Sequence, residues 1–136
     1  MKVMVLVKGD ERYEGGQMPS TEELAEMSEF NEQLANAGIM LAGEGLHPSS
    51  KAARIQYPDR KVVDGPFAES KELLAGYWVL QVKSLDEAVE WMKRAPFKEG
   101  EIEIRQVFDD DDFGDELTPE IREKEQRIRE QVEGRQ

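Results

Sequence analysis

His47 and Asp64 are the two side chains of this sequence whose types best suit proton transfer. A carboxylate beside an imidazole fixes its tautomer and raises its basicity, which makes a general acid/base near neutral pH. Each residue follows a run that reads as a strand. Those strands are expected to be neighbours in one sheet, bringing the two side chains together at its end. A structural account competes with this one. His47 stands in a loop before Pro48, and Asp64 can accept backbone N–H bonds in a tight Asp-Gly turn. Near them, Arg54 and Lys71 have the charge to hold a small anion, with Glu72 next in the run. Ser49 and Ser50 can present hydroxyls to an oxyanion beside His47. Ordinary surface ion pairing is the alternative for the charged members. In Asp64-Gly65-Pro66-Phe67, the Asp caps a turn, the Gly allows positive φ, the Pro blocks ladder pairing and the Phe can plug a core. Such a rigid loop also suits the rim of a pocket.

Other chemistries are excluded by composition. The 136 residues include no cysteine and one histidine. That removes a disulfide framework, a thiolate nucleophile and every multi-histidine or cysteine metal site. Neither a glycine-rich phosphate loop nor a Gly-x-Ser-x-Gly elbow is present, so no cofactor and no serine nucleophile are expected. Asp109 to Glu120 copies an EF-hand loop at its first, third, sixth and twelfth positions. Phe113 stands where a ligand belongs and Glu116 where an apolar residue belongs, so no metal is expected. With 18 Lys+Arg against 30 Asp+Glu, the net charge of −12 repels phosphate backbones and anionic lipid. Neither nucleic acid nor membrane is therefore an expected partner. The apolar run Val3–Val7 is too short for a signal core or a membrane span, so a cytoplasmic location is expected.

The elements that must position these residues follow from periodicity. Val3–Val7, Ile39–Ala42, Ala53–Tyr57, Tyr77–Val82 and Ile102–Ile104 read as strands, with Val62-Val63 a hairpin return. Ser20 and Ser84 each precede a Glu by three residues, the spacing of a capping box. The first opens a helix near residues 21–37 with Leu24, Met27, Leu34 and Ala37, and with them Phe30, on one stripe, and Gly38 stops it. The second opens a helix with Leu85, Ala88, Val89 and Met92 inward. The segment after the first strand reads as a polar loop. The order β-α-β, hairpin, β-α-β predicts a ferredoxin-like α+β sandwich: two helices on one face of an antiparallel sheet. Residues 109–136 hold 11 acids and 5 bases, and Thr118-Pro119 starts a further helix. The division expected is a core domain of residues 1–108 and an acidic helical extension of residues 109–136.

Two helices cover one face of such a sheet, and a strand with its other face in water should alternate apolar and polar residues. Val3–Val7 and Tyr77–Val82 do not alternate. A second copy of the sheet, packed face to face in a two-fold homodimer, is the expected cover.

Asp64 to Glu72, with Gly45-Leu46-His47-Pro48-Ser49 upstream and Gly76-Tyr77 downstream, resembles the YCII-related family, and more closely its branch marked by Asp-Gly-Pro-Phe. The resemblance runs over about residues 1–108 and takes in Asp112-Phe113-Gly114 and Leu117-Thr118-Pro119, as in longer members. It implies a dimeric α+β barrel but no settled reaction, because relatives of that fold include isomerases, monooxygenases and ligand-binding domains. Short members are credited with a His–Asp site whose His lies on the first helix. Residues 21–37 contain no histidine, so that dyad does not transfer. Two functions stay open. One is a small-molecule enzyme using His47 and Asp64 in a pocket at the sheet end. The other is a non-catalytic dimeric module that binds a metabolite or a protein, in a setting such as transcriptional regulation.

Overall fold

The computed structural model describes residues 1–68 and 72–134. Its strands are β1 (Lys2–Lys8), β2 (Met40–Gly45), β3 (Ala53–Gln56), β4 (Lys61–Asp64), β5 (Leu74–Gln81) and β6 (Ile102–Gln106). Its helices are α1 (Glu11–Glu14), α2 (Thr21–Asn36), α3 (Leu85–Met92) and α4 (Pro119–Glu133), with 3₁₀ turns at Ser49–Lys51 and Asp110–Glu116. Two compact units result, Met1–Gln106 and Val107–Gln136.

In the first unit an antiparallel sheet runs in the order β2-β5-β1-β6. With α2 and α3 on one face, this is the ferredoxin-like α+β arrangement. Register decides which side chains meet the helices. Val3 lies opposite Leu80 and Val5 opposite Trp78. All four are buried, with Phe30 and Leu34 of α2 and Ala88 and Met92 of α3. Burying an aliphatic or aromatic side chain of this size contributes roughly 1.5–3 kcal/mol. Trp78 is fixed as well as buried: its indole N–H donates to Asn31 Oδ1 at 2.9 Å, and Phe30 meets its ring edge-on at 5.9 Å. The alternate register, Met4 opposite Val79 and Leu6 opposite Tyr77, points away from the helices and leaves four half-buried apolar side chains on the open face.

Local signals set the helix ends. Ser20 Oγ accepts from the Glu23 N–H at 3.1 Å while the Ser20 N–H donates to Glu23 Oε1 at 3.4 Å, the full capping box. Ser84 caps α3 through the Glu87 N–H at 3.1 Å. Gly38, at φ 74°, ends α2 in the left-handed region.

Four sequence expectations need correction. The polar loop after β1 holds α1, because Asp10 Oδ1 accepts from the Tyr13 N–H at 2.8 Å and caps it. Leu24 and Leu85 lie at the exposed margins of their helices rather than inward. β2 continues past Ala42 to Gly45, and β5 begins at Leu74 rather than Tyr77. The extra pairing needs Gly76, where a Cβ would sit 2.8 Å from the Glu44 carbonyl oxygen.

In the second unit, the 3₁₀ turn of the Asp-rich run precedes α4, capped by Thr118 with Pro119 in its first turn. Asp110 accepts from Arg129 at 2.7 Å and lies 3.7 Å from Arg122. The hydrogen bond from Arg129 is the main cause holding the Asp110 carboxyl below the usual carboxylate range. Phe108 and Phe113 stack at 4.9 Å. No helix among the described residues is long and apolar enough to cross a membrane.

Candidate functional site

The strands before His47 and Asp64 are not neighbours in one sheet. His47 follows β2, a strand of the four-stranded sheet, whereas Asp64 ends β4, which pairs only with β3. Residues 53–64 close on themselves as a hairpin and so never reach the main ladder. Both side chains are exposed, and among the described residues no hydrogen bond or ion pair joins them.

Their backbone segments do meet. The Gly65 N–H donates to the Ala52 carbonyl at 2.9 Å, the Ala52 N–H to the Ser49 carbonyl at 2.9 Å, and the Phe67 N–H to Ser49 Oγ at 3.0 Å. Gly65 does not adopt positive φ, contrary to the turn expected from the sequence. Its value is close approach: a Cβ there would fall inside the Ser49 carbonyl oxygen. Ser49 is buried in consequence, and its N–H donates to the Glu14 carboxylate at 2.9 Å. So Ser49 holds the loop in place, while Ser50 next to it is exposed.

Two residues that sequence reasoning missed belong to this cluster, Tyr13 and Glu14. The Tyr13 hydroxyl is buried with no hydrogen-bond partner among the described residues, and burial, reinforced by the negative Glu14, raises its pKa. The signal for them was Asp10, three residues ahead of Tyr13 and suited to cap a short helix.

Arg54 sits on the inward face of β3, with its guanidinium 3.7 Å from the centre of the Phe67 ring. Stacking of this kind restrains the fork and leaves its in-plane N–H groups at the ring's edge. Among the described residues no carboxylate forms an ion pair with Arg54. Glu72 is exposed beyond the loop, and Lys71, the other expected anion ligand, lies outside the described residues. The arrangement therefore offers a restrained cation beside a rigid loop, with a histidine and a carboxylate on adjoining segments.

The chain belongs to the YCII-related domain family, whose model matches residues 1–111. It is 32% identical over 72 residues to an uncharacterised protein from Rhizobium meliloti (strain 1021). That match covers 52% of this chain and 58% of the relative's length. Among solved structures it is similar to a 5-chloro-2-hydroxyhydroquinone dehydrochlorinase from Burkholderia phenoliruptrix AC1100, determined in complex with 2,5-dihydroxybenzoquinone. The identity there is 13%, the TM-score 0.40, and the coverage 80% of this chain and 96% of the other.

Proposed function

We propose that this chain is a small-anion-binding module of the Asp-Gly-Pro-Phe branch, working as a cytoplasmic homodimer. Arg54 is the primary ligand contact, and the Ser49–Phe67 loop is the rigid support behind it. The observation that carries the reading is the Arg54 guanidinium stacked on Phe67, itself fixed through its N–H to Ser49 Oγ. A planar carboxylate is the ligand class that matches the two parallel N–H groups of a restrained guanidinium. The half-buried apolar open face of Met4, Leu6, Tyr77 and Val79 supports the homodimer, because a second sheet laid on it would remove that surface from water.

A second reading is favoured by one observation. The Phe67 N–H donates to Ser49 Oγ, a bond between the loops that follow Asp64 and His47. If a bound ligand draws the imidazole to the carboxylate, the same surface becomes an acid/base site and the module an enzyme.

Titration of ¹⁵N-labelled protein with a panel of small mono- and dicarboxylates separates the outcomes. Saturable shifts centred on Arg54, Phe67 and His47, weakened about tenfold in Arg54→Gln, are expected from the loss of one charge-assisted contact. Shifts unaffected by Arg54→Gln would overturn the binding site. Conversion of any bound ligand that stops in His47→Gln, while binding persists, would establish the enzymatic reading.

A further inference from the structure

The β3–β4 hairpin is at odds with the rest of the chain. Within an acidic protein, residues 51–63 carry Lys51, Arg54, Arg60 and Lys61 against the single acid Asp59. Every residue from Lys51 to Val62 is exposed. The register places Ile55 directly opposite Val62, and Tyr57 follows in the turn at the hairpin tip. Arg54 and Val63 occupy the other side, toward Phe67, together with the Gln56–Lys61 pair. The hairpin thus exposes three large apolar side chains, Ile55, Tyr57 and Val62, at 55%, 69% and 60%, and at its tip the Arg60 guanidinium lies over the Tyr57 ring at 5.6 Å. A lone two-stranded hairpin is marginal in water, and this one hydrogen-bonds to no strand of the main sheet.

The same unit holds the opposite surface. α2 carries Glu22, Glu23, Glu26, Glu29 and Glu32 and no basic residue. Glu22, Glu26, Glu29 and Gln33 lie on one helical stripe. Beside it is a shallow cavity of about 210 Å³ lined by Glu26, Glu29, Phe30, Gln33, Arg94 and Pro96. Among the described residues none of these glutamates is ion-paired, and neither are Arg60 and Lys61.

We infer that the β3–β4 hairpin is an exchange arm that seats on α2 of a second copy of this chain. Arg60, over the Tyr57 ring at the hairpin tip, faces Glu26 and Glu29, and Tyr57 enters the cavity beside Phe30. Charge decides the occupant: a basic arm cannot relieve its apolar face on nucleic acid or anionic lipid while the chain behind it carries −12. The complementary acidic and apolar surface is present in every copy. A two-fold exchange satisfies arm and groove in both subunits and closes the assembly. The contact rests on the homodimer proposed above and adds to pairing through the open sheet faces.

The test is a charge swap on the full chain, read by sedimentation equilibrium with circular dichroism as the folding control. Arg60→Glu/Lys61→Glu and, separately, Glu26→Lys/Glu29→Lys each weaken self-association at least about tenfold, because like charges now oppose. Mixing the two variants restores it, since the heterodimer pairs an acidic arm with a basic groove and a basic arm with an acidic groove. Tyr57→Ser, which leaves the charges alone, weakens association as well, and added salt weakens the parent. Parental association in the arm variant would overturn the arm while leaving sheet-face pairing intact. A parent that stays monomeric at tens of micromolar would overturn both.

Discussion

The four-stranded sheet and the β3–β4 hairpin are written in similar residues and meet opposite fates. Both contain valine and isoleucine: Val3, Val5 and Val7 in β1 and Ile102 and Ile104 in β6, against Ile55 in β3 and Val62 and Val63 in β4. In the sheet, Val3 and Val5 are shielded by α2 and α3, and in the hairpin Ile55 and Val62 stay in water. Alternation specifies which side of a strand is apolar; it does not supply what covers that side. Chain connectivity supplies it for the sheet, whose helices are threaded between its strands. Near its base the hairpin is held by the Gly65–Ala52 bond and the Arg54–Phe67 stack.

The contrast can be broken by substitution, beginning with the core. Leu80→Ala should cost about 2–5 kcal/mol, since its neighbours cannot collapse into the space left behind. The check is a lower urea midpoint at unchanged slope. Gly65→Ala should follow at roughly 1–3 kcal/mol, because the added methyl meets backbone rather than a side chain that can swing away. Faster hydrogen exchange at the Phe67 amide, with β1 and β5 amides unchanged, would locate that cost in the loop. Ser49→Ala should cost about 1 kcal/mol by removing the acceptor of the Phe67 N–H. Ile55→Ala, measured where the chain is dissociated, should stay within about 0.5 kcal/mol. A core-sized loss there would mean that the hairpin is covered within its own chain.

The smallest effect concerns the second unit and is a matter of pH. The folded Asp110 pKa lies below its unfolded value, so its contribution is present above that value and is lost as pH falls through the folded one. Amide exchange across α4 should therefore accelerate below about pH 3.8, and Asp110→Asn should remove that dependence. Tyr13 runs the other way: its pKa is raised, so its contribution holds below pH 10 and is lost as pH climbs through the folded value.

The order of strands and helices along the chain, and both helices that cover the sheet, were legible because they rest on local signals: two Ser caps, Gly38 as a stop, and apolar runs of strand length. The short α1 was not, since none of its four residues is fully buried and only Asp10 announces it. The candidate site was legible by residue type and not by geometry. His47, Asp64 and Arg54 do lie on segments that the fold brings together or alongside. The path is a hairpin base, though, rather than the shared sheet end expected from strand order. Nothing in residue spacing shows that Gly65 packs on the Ser49 carbonyl, or that Glu14 takes the Ser49 N–H, because both are contacts between separate segments.

Trp78 and Trp91 give the molecule two optical probes of different character. The Trp78 indole, enclosed by Phe30 and Phe97 and tied to Asn31, samples the interior, while Trp91 is partly exposed beneath the Arg94 guanidinium. Emission from the first should lie at shorter wavelength and resist a dissolved quencher such as iodide, and emission from the second should yield to it. With Trp91 replaced by Phe, the remaining fluorescence would follow the seam between α2 and β5 without any added label.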